Sequence, residues 1–300
     1  MPNIQSVRED KLLGNLSAKY RSVEFIADRI FPFVPVKKNS DVYRVYERNF
    51  RIPETDRAIG AEARQHDFQV STASYVLEKH ALKEYIADDI KDNYDIGDLN
   101  ADTVEELTDT ILRRLESSVL GLFTTTNWSQ NTSLAAAAAW SANTTTSNPI
   151  LAVDTATSQV LLNSGKMPNV GMMNHAALEP TKNHVSILDR VKYTSSDVSE
   201  KMLAGLFGLE ELMISRAAVD TSAEGVTSSL GYILGDVFWT GYKARPSLKS
   251  QGAGFIFRKP KPLVKRWREE SRESDVVEVN MQYVPRIVSS LSGYLIKDII

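Results

Sequence analysis

The 300-residue sequence predicts an α+β fold, and three segments carry this prediction. Residues 41–79 hold two β-rich runs that flank a polar stretch. Residues 103–124 repeat apolar side chains at helical spacing, and residues 168–218 read as strand, helix, turn, helix and strand. Helices and strands are therefore both expected to build the core.

Residues 1–40 are predicted to form an extended arm. Their periodicity is weak, and Pro32 and Pro35 disfavour helix around the aromatic residues Phe31 and Phe33. These two side chains need burial. Packing on their own chain is the commoner outcome, and packing on a neighbouring chain is the alternative.

Residues 41–79 are predicted to form a long hairpin, with strands at 41–50 and 67–79. A hairpin of this length is not stable alone in water and must lie on other protein surface. Its tip mixes charges of both signs, which suits ion pairs between chains, although a solvated loop is the simpler interpretation of each residue. The charged tip residues are Glu54, Asp56, Arg57, Glu62 and Arg64.

Two helices are predicted next, a short one within 80–94 and a long one over 103–124. Thr103 and Glu106 have the spacing of a capping box at the start of the long helix. The helix should be about 30 Å long, at roughly 1.5 Å per residue. A polar and Ala-rich connection follows.

A helix at 154–163 that ends near Gly165 is predicted to lead into the block 168–218. In this block Asn174 is positioned to cap a first helix. The inward face of that helix is predicted to comprise Val185, Leu188 and Val191. A second helix is predicted to begin at Ser195 or Ser196 and to end at Gly208.

This block resembles the A-domain core of tailed-bacteriophage major capsid proteins in three sequence segments, PNVGMMN, NHVSILDRVKYT and LAGLFGLEELMISRA. Members of that family commonly carry a Pro-Asn strand, a helix that ends in Ile-x-Asp-x-x-Lys-Tyr, and a Leu-(Phe/Leu)-Gly-(Val/Leu)-Glu corner. The resemblance extends from about residue 30 to residue 300.

The resemblance implies a division of the chain into the parts of that capsid fold. These parts are an N-terminal arm at 1–40, an E-loop hairpin at 41–79, a P-domain at 80–150 with its spine helix at 103–124, an A-domain at 151–274, and C-terminal strands at 275–300 that return to the P-domain. Because the family lays its arm and E-loop on adjacent subunits, Phe31, Phe33 and the charged tip residues are implied intersubunit contacts. Some members crosslink through an E-loop lysine, but residues 51–66 contain none.

The implied function is self-assembly into the pentamers and hexamers of an icosahedral or prolate phage head that encloses double-stranded DNA without sequence-specific binding and matures from a procapsid. The implied partners are a portal, a decoration protein where one exists, and a separate scaffolding protein, since the arm starts close to Met1. The implied location is the virion, after assembly in the host cytoplasm. Two alternatives remain open: an encapsulin-like nanocompartment shell, and an α/β enzyme of unrecognised type.

Composition agrees with a shell protein and excludes other classes. The net charge of −3 argues against a broad basic face that grips phosphate. The absence of cysteine excludes disulfides and thiolate metal sites. No apolar run is long enough for a membrane span, and the N-terminus lacks a signal peptide. The mixed-charge run at 259–275 is interpreted as a solvated or intersubunit face.

Catalytic motifs are missing from the sequence. It contains no P-loop, G-x-S-x-G, G-x-G-x-x-G after a strand, or H-E-x-x-H. The histidines are His66, His80, His175 and His184, and none of their spacings suits a metal. The sequence therefore predicts a protein without catalytic residues, metal or cofactor.

Overall fold

The computed structural model describes residues 8–9, 13, 17, 25–46, 55–57, 59–60, 62–63, 65, 70–93, 98–144, 146–192, 198–223 and 225–300. The strands are β1 (Arg8–Glu9), β2 (Phe33–Pro35), β3 (Ser40–Tyr46), β4 (Val70–Val76), β5 (Glu78–Ala87), β6 (Asn131–Ser133), β7 (Val170–Asn174), β8 (Glu211–Ser215), β9 (Ala218–Asp220), β10 (Leu230–Tyr232), β11 (Val237–Gly241), β12 (Gly254–Arg258), β13 (Leu263–Glu269), β14 (Ser274–Ile287) and β15 (Gly293–Lys297). The α-helices are α1 (Ala27–Ile30), α2 (Asp88–Asp92), α3 (Leu99–Leu120), α4 (Pro149–Ser164), α5 (His175–Lys182), α6 (Val185–Val191) and α7 (Glu200–Leu206).

The first large sheet is organised around β14. Its order is β1-β13-β14-β12-β2, and β5 pairs with β14 from the other side. Val276 of β14 lies opposite Trp267 of β13 and Tyr85 of β5. The long helix α3 packs against β14 and β5. Its apolar stripe, which includes Val104, Ile111 and Val119, is buried in the same core as the sheet.

Helix α3 begins earlier than the sequence predicts. Asp98 is the N-cap, and its carboxylate accepts a hydrogen bond from the backbone N–H of Asn100 at 3.0 Å. Thr103 lies one turn inside the helix, where its hydroxyl donates to the Leu99 carbonyl at 2.8 Å. The predicted capping box of Thr103 and Glu106 is therefore wrong, because the cap is Asp98.

The predicted short helix within 80–94 is also wrong over most of its length. Residues of β5 pair with β14 in an antiparallel ladder from Glu78 to Ala87, and only α2 is helical. The tertiary partner explains the difference, because β14 presents a long strand edge that the local sequence of β5 does not reveal.

The second large sheet has the order β6-β15-β11-β7-β8, with parallel pairs at β6–β15 and β7–β8. Helices α4, α5 and α7 pack around this sheet. Its core contains Trp140, Phe207 and Phe238, whose rings contact one another at centroid distances of 5.3 to 6.4 Å.

The helices of the block 168–218 depart from prediction at two points. Helix α7 begins at Glu200 with Ser199 as its N-cap, while Ser195 and Ser196 lie outside the described residues. On α6 the predicted inward residues Val185 and Leu188 are 52% and 43% exposed. Ile187 and Val191 are the buried residues of this helix, so only Val191 of the predicted inward face is confirmed; α6 has seven residues, too few for the spacing to fix which side faces the core. Gly208 follows α7 with φ of +66°, as predicted for a helix end.

The C-terminal strands are divided between the two sheets. Strands β12 and β13, within the predicted A-domain at 151–274, lie in the first sheet with β5. Strand β15, predicted to return to the P-domain, pairs with β11 in the second sheet. Gly293 permits this pairing, since a Cβ there would stand 2.5 Å from the Trp128 ring.

Candidate assembly surfaces

The hairpin of β3 and β4 is anchored at its base by two buried tyrosines. The strands pair antiparallel from Ser40–Val76 to Tyr46–Val70. The rings of Tyr43 and Tyr75 lie 5.2 and 4.6 Å from the ring of Phe257 on β12, so both tyrosines pack on the first sheet. Burial raises the pKa of both phenols, which therefore stay neutral near pH 7.

The tip of the hairpin is exposed where it is described. Asp56, Arg57 and Glu62 all lie on the surface, whereas Glu54 and Arg64 fall outside the described residues. Ile59 is also fully exposed, next to Gly60 with φ of +84°. A single exposed apolar side chain is common on protein surfaces, so the described tip is distinguished by its charges of both signs.

The arm residues Phe31 and Phe33 have different surroundings. Phe31 is fully buried in its own chain, with its ring 5.5 Å from that of Phe123 and 6.4 Å from that of Trp239. No surface of Phe31 is left for a neighbour, which corrects its implied intersubunit role. Phe33 is half-buried beneath the guanidinium of Arg258, which lies 3.9 Å from the ring centroid.

Charged residues of the run at 259–275 pair within the chain. The Arg268 guanidinium makes two hydrogen bonds of 2.5 and 2.6 Å to the carboxylate of Asp88 on α2. Asp275 accepts from Lys91 at 2.7 Å and from Arg266 at 3.0 Å, and the Lys91 ammonium is the main group that lowers the Asp275 pKa. These contacts tie α2 to β13 and β14, so this part of the run is an intrachain network.

Helix α4 presents an exposed face that carries little charge. Only Asp154 is ionisable among its sixteen residues. Leu151 and Leu162, which are 62% and 70% exposed, lie three turns apart on this face. Next to it, a groove of about 240 Å³ runs between α4 and the edge strand β6, and its lining, which includes Leu134 and Tyr294, is uncharged. The exposed face of α4 was not among the predicted contact surfaces, although the scarcity of charged residues along the helix could have indicated it.

The hairpin of β9 and β10 is a second exposed apolar feature. Leu230 and Val226 are 76% and 66% exposed. Its turn is held by Asp220, whose carboxylate accepts from the Ser222 hydroxyl at 2.6 Å and from the backbone N–H of Ser229 at 3.0 Å. These hydrogen bonds, with the Ser222 hydroxyl first, hold the pKa of Asp220 well below its usual range.

His184 is a buried structural residue whose tautomer follows from its partners. The Ser147 hydroxyl donates to the Ala139 carbonyl at 2.7 Å, so at 3.1 Å from Nε2 of His184 it must accept. The other ring nitrogen, Nδ1, then accepts from the backbone N–H and the hydroxyl of Ser186, so that His184 is the N-cap of α6. His184 is therefore neutral, and burial lowers its pKa.

The described residues contain no cluster of three or more His, Asp or Glu side chains that could hold a metal ion. His80 stacks on Tyr283 at 4.1 Å, His175 begins α5, and His66 lies outside the described part of the chain. No described helix combines the length and hydropathy needed to span a membrane.

Comparison with known proteins finds relatives along nearly the whole chain, although no protein-family model matches. The major capsid protein of Burkholderia phage BcepMu is 25% identical over 300 residues, which cover 97% of this chain and 96% of that protein. A phage-related protein from Bordetella bronchiseptica RB50, solved by crystallography, matches with a TM-score of 0.80 and 25% identity over 97% of both chains. The capsid of cyanophage P-SCSP1u matches with a TM-score of 0.64 at 9% identity, over 93% of this chain and 89% of that one. The relatives whose names state a role are structural capsid proteins and not enzymes.

Proposed function

From the tailed-phage major capsid fold that this chain has, we propose that it is the major capsid subunit of such a phage and assembles into a closed shell. The observation that carries the proposal is the end-to-end match to the capsid protein of phage BcepMu, which spans 97% of this chain. A match of this extent includes the hairpin and both sheets, and is not confined to one shared domain.

The described surfaces support assembly by broad contacts between copies. The base of the β3–β4 hairpin is fixed on β12 through Tyr43 and Tyr75, so its charged and exposed tip projects to meet a neighbouring subunit. Contacts there involve Asp56, Arg57 and Glu62, and extend to Glu54 and Arg64. The exposed face of α4 that holds Leu151 and Leu162 supplies a second surface that copies of the chain cover when they form pentamers and hexamers.

The proposed cargo is double-stranded DNA, held without sequence-specific contacts. A chain with net charge −3 gives a wall that does not bind the packaged polymer tightly. The proposed partners are a portal, a separate scaffolding protein and, where one exists, a decoration protein. The subunit would assemble in the host cytoplasm and remain in the virion.

The test is size-exclusion chromatography with negative-stain electron microscopy, on the protein expressed alone and with a candidate scaffolding protein encoded beside its gene. Rings of five or six subunits, or closed shells, are expected. A small monomer or dimer under both conditions contradicts the proposal. Nuclease-protected DNA in particles from infected cells separates a phage head from a nanocompartment, which would contain a protein cargo instead.

A further inference from the structure

Helix α3 carries a buried acidic residue, Glu116, on the face that packs inward. The residue is 0% exposed. Its two carboxylate oxygens each lie 3.1 Å from the backbone nitrogen of Ile26, and one lies 2.8 Å from the backbone nitrogen of Ala27. The carboxyl group thus accepts the first N–H groups of α1, which a helix of four residues cannot satisfy internally.

This contact lies where the N-terminal segment meets the body of the protein. Directly after α1, strand β2 pairs in parallel with β12, which fixes the chain from Phe33 onward. Upstream, the hydroxyl of Ser17 forms a buried hydrogen bond of 2.8 Å with that of Thr108, eight residues before Glu116 on α3. Ser17 and Ile26 therefore both contact α3, and Glu116 holds the start of α1.

We propose that Glu116 is a proton-responsive clamp, in which the protonation of its carboxyl group sets how firmly the segment of residues 26–30, which is α1 with its N-cap, is held on α3. The backbone N–H groups of Ile26 and Ala27 supply the hydrogen bonds of the clamp. The buried apolar side chains around it, including Ile26 and Ile30, exclude water when the segment is docked.

The direction of the response follows from the surroundings of the carboxyl group. Burial raises the pKa of Glu116 to about 7, the N–H groups of Ile26 and Ala27 oppose this rise, and the negative charge of Asp28 adds to it. The neighbouring Arg29 is turned to Glu211 on β8. When the segment leaves α3, water reaches the carboxyl group and its pKa returns toward 4.5.

Protonation therefore favours the docked state. Docking is strongest below pH 4.5 and weakens as the pH rises through about 7. The docking equilibrium can change by at most about 300-fold, which is ten raised to the difference between the two pKa values.

The first measurement is hydrogen–deuterium exchange on the full-length chain between pH 5 and pH 8.5, expressed as protection factors that remove the intrinsic pH dependence of exchange. Protection of the peptide that covers Ile26 and Ala27 is expected to fall as the pH rises from 5 to about 7 and to change little above that, while protection of β12 stays constant. Glu116→Gln should abolish this pH dependence, because its side chain does not titrate. Glu106→Gln, on the exposed face of the same helix, should keep the profile of the unmodified chain.

A direct titration of the Glu116 carboxyl carbon by NMR provides the second measurement and does not depend on whether the variant folds. A midpoint near 7 supports the clamp. A midpoint near 4.5 with the segment still protected overturns it, as does protection that stays flat or rises with pH in the unmodified chain. Neither readout requires shell formation, so the result is independent of the proposed capsid function.

Discussion

Replacing Phe31 by alanine tests whether the arm belongs to the core of its own subunit. Phe31 is fully buried against Phe123 and Trp239, and its ring lies so close to Gly254 that a Cβ there would come within 2.5 Å of it. So tight a site cannot collapse easily around a cavity. Phe31→Ala should therefore lower the free energy of unfolding by about 3–5 kcal/mol, the range for a large buried aromatic side chain.

The assay is urea unfolding of the unassembled subunit, followed by tryptophan fluorescence, because Trp239 reports on the same cluster. Phe33→Ala is the matched control. Its ring is half-buried, packs at the edge of the core and lies under the Arg258 guanidinium, so a smaller loss of about 1–2 kcal/mol is expected. Equal small losses for both variants, with shell formation impaired only by Phe31→Ala, would refute intrachain burial and restore the intersubunit role.

Two further substitutions test other parts of the fold. The lowered pKa of His184 means that its neutral form stabilises the protein above pH 6.5 and that this stability is lost as the pH falls. His184→Asn should therefore show a smaller drop in urea midpoint between pH 7.5 and pH 5 than the unmodified chain. An equal drop in the two proteins contradicts the assignment of His184 as a buried neutral residue. Gly293→Ala should cost about 1–3 kcal/mol, because the new Cβ meets the rings of Trp128 and Trp239. Gly205→Ala, in the open surroundings of α7, is its control and should be neutral or stabilising by up to about 1 kcal/mol in the same urea assay. A tolerated Gly293→Ala would mean that β15 does not approach this cluster so closely.

The sequence predicted the elements whose signal is local. Helix α3 has an apolar repeat over several turns, and strand β7 is a short apolar run followed by the capping residue Asn174, so both were placed without knowledge of their partners. The β3–β4 hairpin was predicted for the same reason. The sequence of residues 168–218 predicted the capsid fold through its resemblance to that family, and the comparisons confirm this fold.

The parts of the fold that were not predicted depend on contacts between residues that are far apart in the sequence. Leu82, Ile86 and Ile90 have helical spacing, yet most of their segment is a strand because β14 pairs with it. Glu116 looks like a solvent-facing residue of an amphipathic helix until Ile26, ninety positions earlier, is placed beside it. No local pattern indicates which of the two sheets receives β15.

The exchange of strands between the two sheets has a consequence for folding during synthesis. Strand β14 lies in the middle of the first sheet, and β15, made after the other strands of its sheet, lies inside the second between β6 and β11. Neither sheet can be completed while residues 274–297 are still in the ribosome, so neither can form as an early independent unit. The many pairings between remote strands also require long loops to close before the core is gained, which favours slow folding. A nascent chain therefore lacks the finished surfaces that copies would recognise, and association is delayed until β15 has left the ribosome.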